Sequence, residues 1–522
     1  MSPPRRRPLD GVARGAGRAA LLVGVLMFAR GLHAEVRRPA VAGAFYPADV
    51  AELRADLEGF LHPAAPGAAA PVALIAPHAG YVFSGATAGK AFAALAGRHP
   101  SRVILLGPSH HLGFDGGALP ASRVTAFATP LGEMPVDVAA VAKLAAEPEF
   151  DGPSAAHERE HSLEVELPFL QATVGAVPIV PILVGQGTTR SLARAMAKRL
   201  AELLDPGTVV VASSDFTHHG DPYGYAPFGG GPDLGKRLTG LGRDTAGRAA
   251  AADARGFWQQ VDVSGDTVCG ARPIAVLLEL LAHAFDGSGA IREVTTSGDV
   301  SRNWYQVVTY AGVDFTGAWR AWRDDPPAPQ LTELAAPEQA AALALARATL
   351  ASHLSHEGQL AEWFAAHPVA GNLAAPAGVF VTINNRGAKA RKEGRLRGCI
   401  GMMDAREPLA DAIVDAAVSA AHDPRFPRLR EEELAQVGVE ISVLSPRRPI
   451  ADAEAIELGR HGVVLSKDGR SAVFLPQVAT ETGWDKATFL SQLSLKAGLP
   501  PDAWKRGAKF EVFTAQVFGE HE

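Results

Sequence analysis

The chain has 522 residues, 47% hydrophobic and 20% charged, with 54 Gly, 38 Pro and a formal net charge of −6. This composition excludes intrinsic disorder and collagen-like repeats, and at roughly 150 residues per domain the length implies two to four domains. With 50 basic residues against 56 acidic ones and no basic block beyond the extreme N-terminus, there is no phosphate-neutralising footprint, and nucleic acid is not an expected partner.

At the N-terminus, Arg5-Arg6-Arg7 precede an uncharged apolar run from Ala19 to Ala29 and then Leu32-His33-Ala34. This is the layout of a secretory signal cleaved after Ala34, so residues 1–34 are expected to be a signal peptide and the mature chain to be exported, periplasmic or extracellular. If the signal is not used, the protein stays in the cytoplasm. The run is shorter than the roughly 20 residues of a spanning helix, so the mature chain is expected to carry no integral membrane segment.

Short apolar runs then follow at Val72–Ala76, Val103–Gly107, Ile179–Val184 and Val209–Ser213, each ending in or followed by Gly, Pro or Ser. They predict buried strands. Helical patterns lie between and after them, at Leu192–Leu204 and Pro273–Phe285, so residues 38–316 predict an α/β domain. In such sheets ligands gather beyond the strand ends, and here the polar chemistry follows directly on the strands. The seam Asp324-Asp325-Pro326-Pro327-Ala328-Pro329 can hold neither a helix nor a central strand, which makes 317–336 a linker. Beyond it, residues 337–520 predict an α+β domain. Its elements are a helical stretch from Glu338 to Ala366, strands at Val379–Asn384 and Val437–Leu444, and a helix from Pro408 to Ala421.

His157-Glu158-Arg159-Glu160-His161 matches H-E-x-x-H, in which two histidines one helical turn apart bind zinc and the Glu acts as base. A zinc protease through His157 and His161 is therefore one reading; a polar surface or active-site segment is the other. A second constellation occupies strand ends. It comprises His78 in Ala76-Pro77-His78-Ala79-Gly80-Tyr81, His110 in Gly107-Pro108-Ser109-His110-His111, Asp215 and His218 in Ser213-Ser214-Asp215-Phe216-Thr217-His218-His219, and Cys269 in Asp266-Thr267-Val268-Cys269-Gly270. Two imidazoles and one anionic ligand leave open positions on a transition metal, and a thiolate as the anion shifts the preference toward softer metals. Against this, a buried Cys also serves as a small apolar residue.

These motifs, with Val41-Ala42-Gly43-Ala44-Phe45-Tyr46-Pro47, His161-Ser162-Leu163-Glu164 and Arg272-Pro273-Ile274, resemble the Memo family, whose fold is related to class III extradiol dioxygenases. The resemblance implies a mixed sheet flanked by helices, with His78, His110 and Cys269 as metal ligands, Cys269 standing where the related dioxygenases place a carboxylate. It implies His218 as acid/base and Asp215 as an orienting group or further ligand, with His111 and His161 as pocket residues. The cofactor implied is iron, with copper as the alternative. The activity implied is redox or oxygen chemistry on an aromatic or peptide-borne substrate, or else non-enzymatic metal or peptide binding as an adaptor. Only His161 of the H-E-x-x-H match falls on the family pattern.

In the second half, Leu396-Arg397-Gly398-Cys399-Ile400-Gly401, Asp423-Pro424-Arg425-Phe426 and Phe474-Leu475-Pro476-Gln477 resemble the AMMECR family. Cys399 is read as a structural or cleft residue, or as a nucleophile whose thiolate Arg397 would favour. The two families resemble parts of a bacterial three-part system that adds a radical SAM protein, which makes such a protein an expected partner. The chain itself has no C-x3-C-x2-C motif.

Overall fold

The computed structural model describes residues 34–62, 71–355, 359–405 and 407–520; residues 1–33 of the expected signal lie outside them. The four apolar runs become adjacent strands of one sheet. Ala73–Ala76, Thr208–Ser213, Arg102–Pro108 and Ile179–Val184 lie side by side in that order and run parallel. Every residue of Ala73–Ala76, Thr208–Ser213 and Ile179–Val184 is buried, the pattern of a sheet covered on both faces. Ile75, Ile104, Ile182 and Val210 have no exposure at all, and each such side chain stabilises the fold by about 1.5–3 kcal/mol. The long hairpin Phe285–Thr296 and Val307–Trp319 joins antiparallel at Ala73–Ala76, and Gly117–Ala118 joins antiparallel at the opposite edge. The first domain is therefore a mixed α/β sheet with flanking helices. Pro181 is tolerated within Ile179–Val184 because Gly117–Ala118 on the far side pairs with Leu183 and Val184 and Val136 bridges Ile179, which leaves Pro181 itself without a partner there.

The helices are fixed by caps and by burial. Thr189 accepts a hydrogen bond from Leu192 N and starts Arg190–Ala201, which packs on Ala271–Ala284, a helix buried along most of its length. The linker is pinned: Asp324 pairs with Lys198 at 2.9 Å, Asp325 pairs with Arg194, and the Trp322 ring stacks on His283 at 4.6 Å.

The second domain is α+β, with two four-stranded antiparallel sheets. The first has the order Leu396–Met402, Gly378–Asn385, Val437–Leu444, Ala515–Gly519; the second Arg448–Ile450, Lys509–Phe513, Gly462–Lys467, Arg470–Phe474. The expected helical stretch from Glu338 to Ala366 is two helices, Ala336–Ser355 and Gln359–Ala366. Val263 of the first domain packs in the same apolar cluster as Leu345, Ile413 and Val379, so the two domains share a wall. Among the described residues no helix is long and apolar enough to cross a membrane.

Candidate metal centre

Three parallel strands deliver the chemistry to one end of the sheet. His78 lies two residues beyond Ala73–Ala76, His110 two beyond Arg102–Pro108, and Asp215 two beyond Thr208–Ser213. Cys269 comes from the turn before Ala271–Ala284. The close approach of that turn requires glycine next to it, because a Cβ on Gly270 would lie 2.4 Å from Ser214 Cβ and 2.6 Å from Ser213 O. His161 arrives from the segment before Leu167–Thr173, and its ring stacks on His110 with centroids 4.6 Å apart.

The donor atoms form two overlapping groups, His78 with His110 and His161, and His78 with Asp215 and Cys269; within each, the atoms lie within 4.8 Å of one another. His78 is the shared member. The expected set of His78, His110 and Cys269 is thus divided between the two groups, joined through His78, and His161, read from sequence as a pocket residue, stands among the imidazoles. His78 Nε2 lies 3.2 Å from Cys269 Sγ. His111 is exposed and belongs to neither group.

The partners of each ring orient it. The Glu160 carboxylate lies 2.8 Å from His110 Nδ1 and also accepts from the N–H groups of His110, His161 and Ser162 at 2.7, 2.9 and 3.0 Å. This places the His110 proton on Nδ1 and leaves Nε2 as a donor to metal. Burial alone would raise the Glu160 carboxyl, but the hydrogen bonds from the His110 ring and from the His110 and Ser162 N–H groups hold it well below the usual carboxylate range. His78 Nδ1 lies 2.8 Å from Ser213 Oγ, which is 2.7 Å from both Ser162 O and Glu166 Oε1. Burial pushes the Glu166 carboxyl well up. The Ser213 hydroxyl donates toward Ser162 O and Glu166 Oε1, so its oxygen is left to accept His78 Nδ1–H, and Nε2 again faces the cluster. Burial, and after it the neighbouring His110, push His78 well below its ordinary value and His161 down to about 4, so both rings are neutral and able to ligate. Asp215 Oδ1 accepts from His78 N and Ala79 N at 2.9 and 3.2 Å, which fixes the backbone that carries His78.

His218 is held differently. Its Nδ1 donates to Phe216 O and Thr267 O at 2.9 and 3.0 Å, and its N–H donates to Thr267 Oγ1 at 2.9 Å. These bonds engage Nδ1 and leave Nε2 as the ring's other nitrogen, and the Tyr223 ring lies edge-on to the imidazole at 5.0 Å.

The zinc protease reading fails on geometry. Ser154–His157 is one short 3-10 turn, no helix carries residues 157–161, and His157 Nε2 is 2.9 Å from Ala118 O, outside both donor groups. The carboxylate of that segment that meets a metal-capable imidazole is Glu160, not the motif's Glu158. Glu164 serves the fold instead, accepting from Arg37 Nη1, Ala40 N, Val41 N and Tyr46 OH and so tying down the segment that opens the domain.

Residues 37–314 match the family model for Memo-like proteins, a little over half of the chain. The chain belongs to the Memo-like family. Residues 343–518 match the model for AMMECR1, so the two domains follow one another in a single chain. MEMO1 family protein MK0963 of Methanopyrus kandleri is 36% identical over 297 residues, covering 53% of this chain and 98% of that protein. MEMO1 family protein TK1477 of Thermococcus kodakarensis is 36% identical over 296 residues, covering 54% and 99%. Protein MK0488 of Methanopyrus kandleri is 42% identical over 187 residues, covering 34% and 86%. A crystal structure of the uncharacterized protein PH0010 from Pyrococcus horikoshii is 34% identical and covers 34% of this chain and 90% of that one, with a TM-score of 0.30.

Both donor groups found among the described residues of this Memo-like chain lie in the Memo-like domain. In the AMMECR1 domain, Cys399 lies in the strand Leu396–Met402, where Thr382 Oγ1 donates to its Sγ at 3.2 Å and Asp423 Oδ2 accepts from its N–H at 2.9 Å. The cation beside it is Arg425, which donates to Cys399 O at 3.1 Å. Arg397, expected to favour a thiolate there, instead pairs with Glu433 at 3.1 Å and donates to Arg428 O. Arg397 is nearly buried, and a buried guanidinium is stable only where a carboxylate meets it. That partner is 36 residues away in sequence and was not legible there. Glu160, Glu166 and Ser213 were likewise missed, although Glu160 sits inside the conspicuous five-residue match.

Proposed function

We propose that the strand-end cluster binds a transition metal, iron with copper as the alternative, and that the protein is a metal-dependent redox or oxygen-activating protein acting on an aromatic or peptide-borne substrate. The observation that carries this is His78: it is buried, neutral, oriented through Ser213 and common to both donor groups. His78, His110 and Cys269 would hold the ion, with His161 beside them, and fewer than four protein ligands leave a position for a substrate. Bound there, iron or copper would supply one-electron and oxygen chemistry. Among the protein groups, His218 Nε2 is a proton acceptor held in one tautomer by two carbonyls, Glu160 keeps His110 oriented, and Asp215 sets the His78 backbone. Protein loaded with iron(II) and given catechols or indoles should consume oxygen, and His218→Ala should keep the metal and lose turnover.

The adaptor reading is favoured by exposed apolar groups. Val82, Phe83 and Leu112 follow the ligand histidines within five residues, and Val82 is 71% exposed. Metal binding without oxygen uptake on any aromatic or peptide probe would decide for a binding module. We also propose that residues 1–34 direct export, which N-terminal sequencing of protein from its native cell checks.

A further inference from the structure

A second pair of histidines lies outside the strand-end centre, where the domains meet. His353 stands in the last turn of Ala336–Ser355, and His422 caps the C-terminal end of Leu409–Ala421. The two helices pack together, and the imidazole rings meet at 69° with centroids 4.9 Å apart. Their Nε2 atoms are 2.7 Å apart. His353 Nδ1 lies 2.5 Å from the carbonyl oxygen of Val263, in the last turn of Ala254–Ser264 of the first domain. That carbonyl is one of the last four of its helix, which have no partner within it. A carbonyl can only accept, so Nδ1 carries the His353 proton and Nε2 presents a lone pair. In the neutral pair, His422 Nε2–H must therefore be the donor between them. Among the described residues no other hydrogen bond holds the His422 ring, so its tautomer is free to change. Burial, and after it His353 and Arg428, push His422 below its ordinary value, which keeps that ring neutral near pH 7.

We propose that His353 and His422 form a second metal site, a two-imidazole clamp for a divalent ion of the zinc class whose remaining positions are filled by water. Neutral imidazoles suit zinc, copper and nickel, whereas magnesium and calcium require oxygen ligands. A ligating histidine usually donates its other N–H to a carbonyl or carboxylate, which fixes the ring and raises its basicity; Val263 O does this for His353. Binding requires one change of tautomer. The His422 proton leaves Nε2 and is carried on Nδ1 instead, which frees the lone pair with no change in charge. Two nitrogens on one tetrahedral ion stand about 3.3 Å apart, so the rings must open slightly, and His422 is exposed and just past its helix, where it can move. The carbonyl end of Ala254–Ser264 favours positive charge, so an ion on His353 strengthens the bond to Val263 O and with it the contact between domains. Two protein ligands hold an ion more weakly than the strand-end centre does, and the site fills only where metal is supplied.

The test is equilibrium dialysis of the full chain against zinc chloride, up to about 100 µM free ion, with bound metal counted by plasma mass spectrometry. The parent is expected to take up one zinc ion more than either His353→Ala or His422→Ala. The double variant should lose no more than either single one, because both rings hold the same ion. His78→Ala, which alters only the strand-end centre, should keep this ion. Circular dichroism checks that the variants are folded, and the exposure of His422 makes its variant the least disturbing. Zinc uptake by His422→Ala equal to the parent's, a double variant that loses two ions, or loss of all zinc uptake in His78→Ala would overturn the proposal.

Discussion

Glu160 orders the imidazole group from beneath: it faces His110 Nδ1 and gathers three backbone N–H groups. Glu160→Gln keeps the shape but sets an amide where those donors need a full carboxylate, so metal affinity should fall about 10- to 100-fold. Competition against a chromophoric chelator measures this, and an affinity equal to the parent's would contradict the orienting role. His157, in contrast, is pushed down to about 4 by burial and is satisfied by Ala118 O. His157→Ala should leave metal content unchanged and lower stability by about 1–3 kcal/mol, read from denaturant midpoints. The places of His78, His110 and Asp215 were legible in the sequence because a strand run into a polar residue announces its position, whereas Cys269 lies in a turn between two helices and was singled out through the family resemblance. Glu160 and Glu166 were not, because their roles depend on which N–H or hydroxyl the fold places against them. The H-E-x-x-H match misled for the same reason: the string specifies a helical spacing, and Pro153, Pro168 and the burial of Ala156 and His157 produce a short turn instead.

Among the elements, the buried strands were read almost to the residue, Ile179–Val184 and Val437–Leu444 at both ends, because a continuous β-branched run bounded by polar or turn residues has few other uses. Helix ends were harder to read. Arg190–Ala201 begins at the Thr189 cap, ahead of the first apolar residue at Leu192. The turn from Cys269 into Ala271–Ala284 is the element on which the thiol's position depends. With Ser214 Cβ at 2.4 Å from any added Cβ, Gly270→Ala must shift either this helix or the end of Thr208–Ser213. Overpacking of this kind costs about 1–3 kcal/mol. The variant should therefore unfold at lower denaturant and lose metal, although it removes no ligand. Parent-like stability in Gly270→Ala would show that the turn yields freely and does not place Cys269.

At the scale of the whole molecule, the sequence marked two families and a Pro-rich seam but gave no sign that the domains share a polar wall. The groups that build it are far apart in the chain: Arg190, Arg255 and Gln259 converge on Asp411, while Asp262, Glu407 and Asp415 lie close by. Burial first, then the negative charges of Glu407, Asp262 and Asp411, push the Asp415 carboxyl up to about 8, against the pull of Arg190. The folded protein then holds a proton that the unfolded chain releases. The contribution of Asp415 to stability accordingly falls as pH rises from the usual aspartate value of 3.8 toward about 8, and the loss is complete above that. Denaturant midpoints of the full chain should decline over this window, and Asp415→Asn, which fixes the neutral form, should flatten the decline; an unchanged slope would contradict the assignment. The central claim, that one buried histidine joins two donor groups into a single metal centre, is tested most directly by plasma mass spectrometry of the purified chain and its variants. About one metal ion per chain is predicted for the parent, little for His78→Ala, reduced content for His110→Ala and Cys269→Ala, and parental content for His157→Ala. Parental metal in His78→Ala, or its loss in His157→Ala, would contradict the account.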